Sequence, residues 1–243
     1  MKQLFSSLTA FLFSVCAFAQ QGTIQYKITL GNGQKSMTST STMYFLNGST
    51  RVEATIPMPG MGQPIKQTVL MPASKPNVMY NLDDASKTYT ETSVSPTATN
   101  DVKTTIKVLG TETIQGLSCK HLSVTMDKTN MEVWTTKDIA GYEKMMSYWR
   151  SNPAMSSNSF YNELKKNNAE GFFVKTKTNG MRGGSMTMEM VSYNTKPVAA
   201  SLFSIPAGYK KEAGFDPAAM EKMSPAERQK MVEQMMKKYA PKQ

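Results

Sequence analysis

The chain has 243 residues and sets 28 Lys and Arg against 18 Asp and Glu, a formal charge of +10. That length suits one large β domain, with or without a tail. The bases are spread along the chain without a nucleic-acid-binding motif, which excludes a dedicated nucleic-acid binder. Such a charge favours anionic envelope surfaces through long-range attraction, beside its ordinary role of keeping a surface solvated.

The first residues read as an export signal. Lys2 supplies a positive start, Leu4 to Phe13 is mostly apolar, and Ala17-Phe18-Ala19 offers small residues to a signal peptidase. The expected cleavage follows Ala19, giving a mature chain from Gln20 in the periplasm, at the cell surface or secreted. The apolar run is too short to span roughly 30 Å of hydrocarbon, and no later segment is longer. Val15 stands where a lipoprotein signal at Cys16 wants a small residue. With Cys16 removed, Cys119 is alone, so no internal disulfide can form and the thiol is expected to be buried.

Period-two alternation then predicts strands at Thr23–Leu30, Ser36–Leu46 and Thr50–Ile56, with Asn47-Gly48 as a tight hairpin turn. Pro57 to Gly62 interrupts. Strands resume at Ile65–Met71, Asn77–Leu82, Lys87–Thr92, Val102–Val108, Leu117–Met126 and Met131–Thr136. Such closely spaced strands point to an open or closed antiparallel barrel. The period changes after Asp138. Tyr142, Met145, Met146 and Trp149 form a helical stripe over about 139–150, and Phe160, Tyr161 and Leu164 suggest a second short helix. Strands return at Phe172–Lys177 and Met186–Tyr193. Beyond Tyr209, Ser224-Pro225-Ala226-Glu227 is a capping box that opens an amphipathic helix carrying Met231, Met235, Met236 and Tyr239. That helix either docks on the barrel or meets a membrane or partner.

Three stretches carry a family resemblance: Ile114-Gln115-Gly116-Leu117-Ser118-Cys119-Lys120-His121, Met131-Glu132-Val133-Trp134-Thr135-Thr136-Lys137-Asp138, and Ser201-Leu202-Phe203-Ser204-Ile205-Pro206-Ala207-Gly208-Tyr209-Lys210. Together they resemble a family of exported proteins from Bacteroidetes-type bacteria that is known as a domain of unknown function. That family is similar to the half-barrel carriers and receptors that move lipoproteins between bacterial membranes. The resemblance implies a curved antiparallel sheet, closed on its concave side by helices of the Asp138–Leu164 region and able to hold an acyl chain. One departure stands out, because the lipoprotein carriers begin with a helix and this mature chain begins with a strand.

The expected fold is therefore mainly β with helices: a half-barrel domain over 20–210, a helical insertion at about 138–167, and a helical tail over 211–243. The 21 methionines give the candidate site. Met186, Met188 and Met190 alternate along one strand and share a face. Unbranched thioethers repack around ligands of varied shape, though single methionines also serve as core filling. Trp134, Tyr142, Met146, Met186, Met188 and Met190 are the expected lining for an apolar or amphipathic ligand such as a lipid. A second reading places Cu(I) or Ag(I) on Cys119, His121 and Met188, since soft metals favour thiolate, imidazole and thioether. Against it, sulfurs on alternate strand residues lie roughly 7 Å apart. No catalytic residues and no cofactor are assigned. His121 is the only histidine, no Gly-x-Ser-x-Gly elbow accompanies it, and Glu132 and Glu189 read as solvent-facing strand residues.

Overall fold

The computed structural model describes residues 20–32, 35–56, 64–93, 102–127, 129–143, 145–146, 158–181 and 184–213, together with 224, 226, 227 and 229. The expected export signal over residues 1–19, Met58, Met61, Trp149 and the terminal stripe of Met231, Met235, Met236 and Tyr239 lie outside the described residues. So does most of the expected first helix, of which helical backbone is described at 142, 143, 145 and 146.

A single open, curved sheet of 12 strands organises the chain. The first meander runs β1 (Gln21–Asn32), β2 (Lys35–Leu46), β3 (Ser49–Ile56), β4 (Ile65–Met71), β5 (Val78–Asp83) and β6 (Thr88–Ser93). The next strand, β7 (Thr104–Ile114), lies at the opposite edge, and β8 (Leu117–Met126), β9 (Thr129–Thr136), β10 (Phe172–Met181) and β11 (Gly184–Asn194) work back until β11 pairs with β1. The helix α1 (Asn158–Lys166) interrupts this second meander. A short β12 (Lys210–Glu212) adds to β6 in parallel; the other pairings are antiparallel.

Local chemistry explains the turns and the bends. Asn47 and Gly48 take φ of 48° and 87°, the left-handed pair that a two-residue hairpin requires. Gln115 and Gly116 do the same at 50° and 77°. Register shifts at Gln25/Tyr26, Val108/Gly110, Phe173/Lys175 and Asn179/Met181 mark bulges, which bend strands and increase twist. The Val108/Gly110 shift also explains why β7 outruns its expected end at Val108: pairing resumes beyond it and continues to Ile114.

One face of the sheet, called inner here, carries the helical segments. Phe160 of α1 lies 6.0 Å from Phe173, ring to ring. Lys120 Nζ donates to the Asn168 carbonyl at the end of α1 (2.7 Å), and the Thr135 hydroxyl donates to the Ala169 carbonyl (2.8 Å). Ile24, Tyr26, Met43, Phe45, Leu122, Val133, Met145, Met146, Phe160, Leu164 and Met190 form the main buried cluster there.

The opposite, outer face of β3–β6 has its own small cluster, Leu70, Tyr80 and Leu82, covered by Phe203, Ile205 and Tyr209. A single 3-10 turn at Ala200–Phe203 begins this strap. Arg51, itself buried, fastens it by donating to the Leu202 carbonyl (3.2 Å) while pairing with Glu53 (2.7 Å). Tyr209 donates to Asp84, and that hydrogen bond pushes the phenol up to about 12. Further on, Ser224 and Glu227 close the expected capping box: the Ser224 backbone N–H donates to Glu227 (2.8 Å) and the Glu227 N–H donates to Ser224 Oγ (3.3 Å).

Candidate functional site

Register places the apolar side chains of the inner face in rows that cross the strands. One row runs Val124, Met131, Thr178, Met186, Leu30, Met37, each directly paired with the next. The neighbouring row runs Leu122, Val133, Thr176, Met188, Ile28, Ser39. A third starts at Met190 and passes through Tyr26, Ser41 and Ala54 to Gln67.

Burial is graded along β11. Met190 is fully buried, Met188 is 8% exposed, Met186 is half-buried, and Leu30 beside Met186 is 43% exposed. The row of Met186 and Leu30 is therefore the open margin of a greasy surface whose next row, that of Met188, sinks into the core. In its middle, the Thr178 hydroxyl is buried without a hydrogen-bond partner among the described residues. Leaving such a group unmade costs about 1–3 kcal/mol.

The six residues expected to line a cavity do not all meet there. Met186, Met188 and Met190 share the inner face as their alternation requires. Met146 is buried in the main cluster, and Tyr142 packs half-buried against it. Burial, then the nearby Glu143 and Glu170 carboxylates, raises the Tyr142 phenol above its ordinary value. Trp134 is 5% exposed and belongs to the same buried cluster, but its strand register turns it away from Val133. It pairs with His121 and Lys175, whereas its neighbour Val133 pairs with Leu122 and Thr176 on the inside. A residue one step away on a strand points to the other face, so Trp134 joins the cluster from the side opposite Val133.

The same parity dissolves the proposed soft-metal set. Cys119 and His121 share the strand parity opposite to Leu122, with Cys119 buried in the main cluster, while Met188 lies on the row of Leu122. Cys119 is fully buried and desolvation pushes its thiol up to about 11, which disfavours the thiolate a metal needs. His121 is occupied on both sides: Nδ1 lies 3.0 Å from Glu112 and Nε2 2.8 Å from Glu132. Its ring stacks on Trp134 with centroids 4.1 Å apart, and Lys175 sits 5.1 Å above the indole. No group of three or more His, Cys, Asp or Glu side chains suited to a metal occurs among the described residues.

Sequence reasoning missed this outer polar chain. Glu132 and Glu189 face outward as expected, yet they are engaged rather than merely solvated. Glu132 faces His121 and Lys177, and Glu189 accepts from Lys175 (3.3 Å). Their signal was the strand register, which puts charges of opposite sign side by side only once the strands are paired.

The family model described as a domain of unknown function (DUF4412) matches residues 21–209. The chain belongs to this family. The three stretches that carry the resemblance have structural places: the β7–β8 hairpin, strand β9 with Asp138, and the outer strap. Asp138 ties the first two together by accepting from the Ser118 N–H (2.7 Å).

No curated protein matches the chain. Among solved structures, PNGF-II is similar at 13% identity and a TM-score of 0.40, over 84% of this chain and 33% of that one. The MucA/MucB complex of Pseudomonas aeruginosa is similar at 13% identity and a TM-score of 0.38, over 78% and 56%. A LolA-superfamily protein from Nitrosomonas europaea follows at 11% identity and 0.34, over 76% and 90%. The chain thus spans a third of the first and little more than half of the second. Likenesses this distant assign no function.

Proposed function

We propose that this protein is a non-enzymatic protein of the bacterial envelope that holds an apolar or amphipathic ligand, such as a lipid chain, against the inner face of its sheet. The observation that carries the reading is the graded methionine row: Met190 in the core, Met188 at its rim and Met186 half-open beside an exposed Leu30. Thioethers and unbranched side chains at such a margin re-pack around a ligand at little cost, where β-branched side chains would hold one shape.

The leader-like first nineteen residues support export, and the charge of +10 would draw the exported protein toward anionic envelope surfaces. No helix among the described residues is long and apolar enough to cross a membrane. Native mass spectrometry of gently purified protein tests the proposal. A bound lipid-sized mass, or saturable uptake of a fluorescent fatty acid, is the expected result. A bare chain that takes up no such probe contradicts it.

A further inference from the structure

The inner face changes character beyond β3. There a half-open cavity of about 350 Å³ is lined by Ile56, Ile65, Gln67, Asn81, Thr88 and Thr90, with Lys66, Asp83 and Glu212 at its charged side. It continues the greasy rows rather than standing apart from them. The row from Met190 ends through Ala54 at Gln67, and Ile56 pairs with Ile65 on the cavity's near side.

We infer that this cavity is a subsite for a neutral polyhydroxyl headgroup, so that the ligand is an amphiphile with its chain on the methionine rows and a sugar-like or polyol head over β4–β6. This deepens the proposed function and rests on it. Three properties favour that chemistry. Gln67 and Asn81 each offer a donor and an acceptor, and Thr90 offers a hydroxyl, the mixed set that neighbouring hydroxyls of a polyol need. None of the three makes a side-chain hydrogen bond to another described residue, so none must break one to serve a ligand. They also occupy adjacent strands, with Asn81 paired directly to Thr90, which spaces them by about 4.8 Å per strand.

Charge argues against a phosphate. One base, Lys66, and two acids, Asp83 and Glu212, line the cavity, so the ionised lining is net negative. Asp83 is further committed to its own turn, accepting from the Ala85 and Ser86 N–H groups at 3.0 and 3.2 Å. An anionic head would meet repulsion here; a neutral one meets unspent donors and acceptors.

The test compares three probes with one chain, dodecyl maltoside, dodecanol and dodecyl phosphate, each below its micellar concentration. Each displaces a fluorescent fatty acid from the full chain. Dodecyl maltoside should bind about tenfold tighter than dodecanol, because a site built to hydrogen-bond several neighbouring hydroxyls discriminates against a ligand that offers only one. Asn81→Ala and the near-isosteric Thr90→Val should each erase most of that preference and lower maltoside affinity far more than dodecanol affinity. Circular dichroism melts confirm that both variants fold. Equal affinity for maltoside and dodecanol, tightest binding of the phosphate, or a preference that survives both substitutions overturns the headgroup assignment alone. If no dodecyl probe displaces the fatty acid because none of them, nor the fatty acid, binds, the carrier reading itself fails and this inference falls with it.

Discussion

The two faces of one sheet live by different rules. On the inner face, Val133, Met188 and Met186 lie among other apolar side chains, and what varies is how far each is covered. On the outer face, the residues one step along, Trp134 and Glu189, are fixed by direction: Trp134 by a stacked imidazole, Glu189 by the Lys175 ammonium. Dispersion contacts are non-directional and tolerate rearrangement, whereas hydrogen bonds and stacked rings hold their partners at set angles. A sheet that must accept a ligand on one side and keep its shape on the other gains from this division. The outer strap adds to it by packing Phe203, Ile205 and Tyr209 over the second cluster.

That comparison can be broken in several places. Phe160→Ala removes the ring that seats α1 against Phe173, and should cost about 3–5 kcal/mol in denaturant unfolding. Arg51→Met, on the outer side, strands the Leu202 carbonyl and should cost about 1–3 kcal/mol. Limited proteolysis within residues 199–213 should accelerate, with fatty-acid uptake unaltered. At the open margin, Met186→Asn with Leu30→Asn should weaken uptake roughly tenfold, about 1.4 kcal/mol. Its melting temperature should barely move, because both side chains are already partly in water.

Trp134→Phe sharpens the face assignment. The smaller ring keeps only part of the His121 stack, which should cost about 0.5–1.5 kcal/mol, and uptake should stay at the wild-type level; a fall in uptake would return Trp134 to the ligand site. The smallest effect concerns Cys119. Its thiol is raised to about 11 in the folded chain, so between the ordinary thiol value and that point the unfolded chain has lost a proton that the folded chain keeps. Stability then falls as pH rises through this window. Cys119→Ala should flatten the alkaline side of a stability–pH profile, and the wild-type thiol should react with a thiol reagent at neutral pH only on unfolding.

Strand positions were legible in the sequence because alternation is a local property. Ile65–Met71 and Leu117–Met126 fall where their apolar periods put them, and Asn47-Gly48 announces its turn by residue type alone. Gln115-Gly116 makes the same turn with a first residue that rarely takes positive φ, so it gave no comparable signal. Strand β12 and the strap have no period of their own; the burial of Phe203 and Ile205 against Tyr80 and Leu82 creates them. For the site, the methionines of β11 were legible because three on one strand must share a face. Trp134 is buried in the main cluster as its size suggests, while its parity is legible only from the pairing that gives Val133 the inner position. The polar end of the inner face escaped notice for the same reason, since Gln67, Asn81 and Thr90 meet through pairing between strands.

Photo-crosslinking tests the central claim most directly. A diazirine fatty acid is bound to the full chain and irradiated, and the labelled peptides are sequenced. Labels at Met186, Leu30, Met37 and Met131, with none at Trp134 or His121, are the predicted outcome. Labels concentrated on the outer residues, or a chain that stays unlabelled at saturating probe, would contradict an inner ligand face.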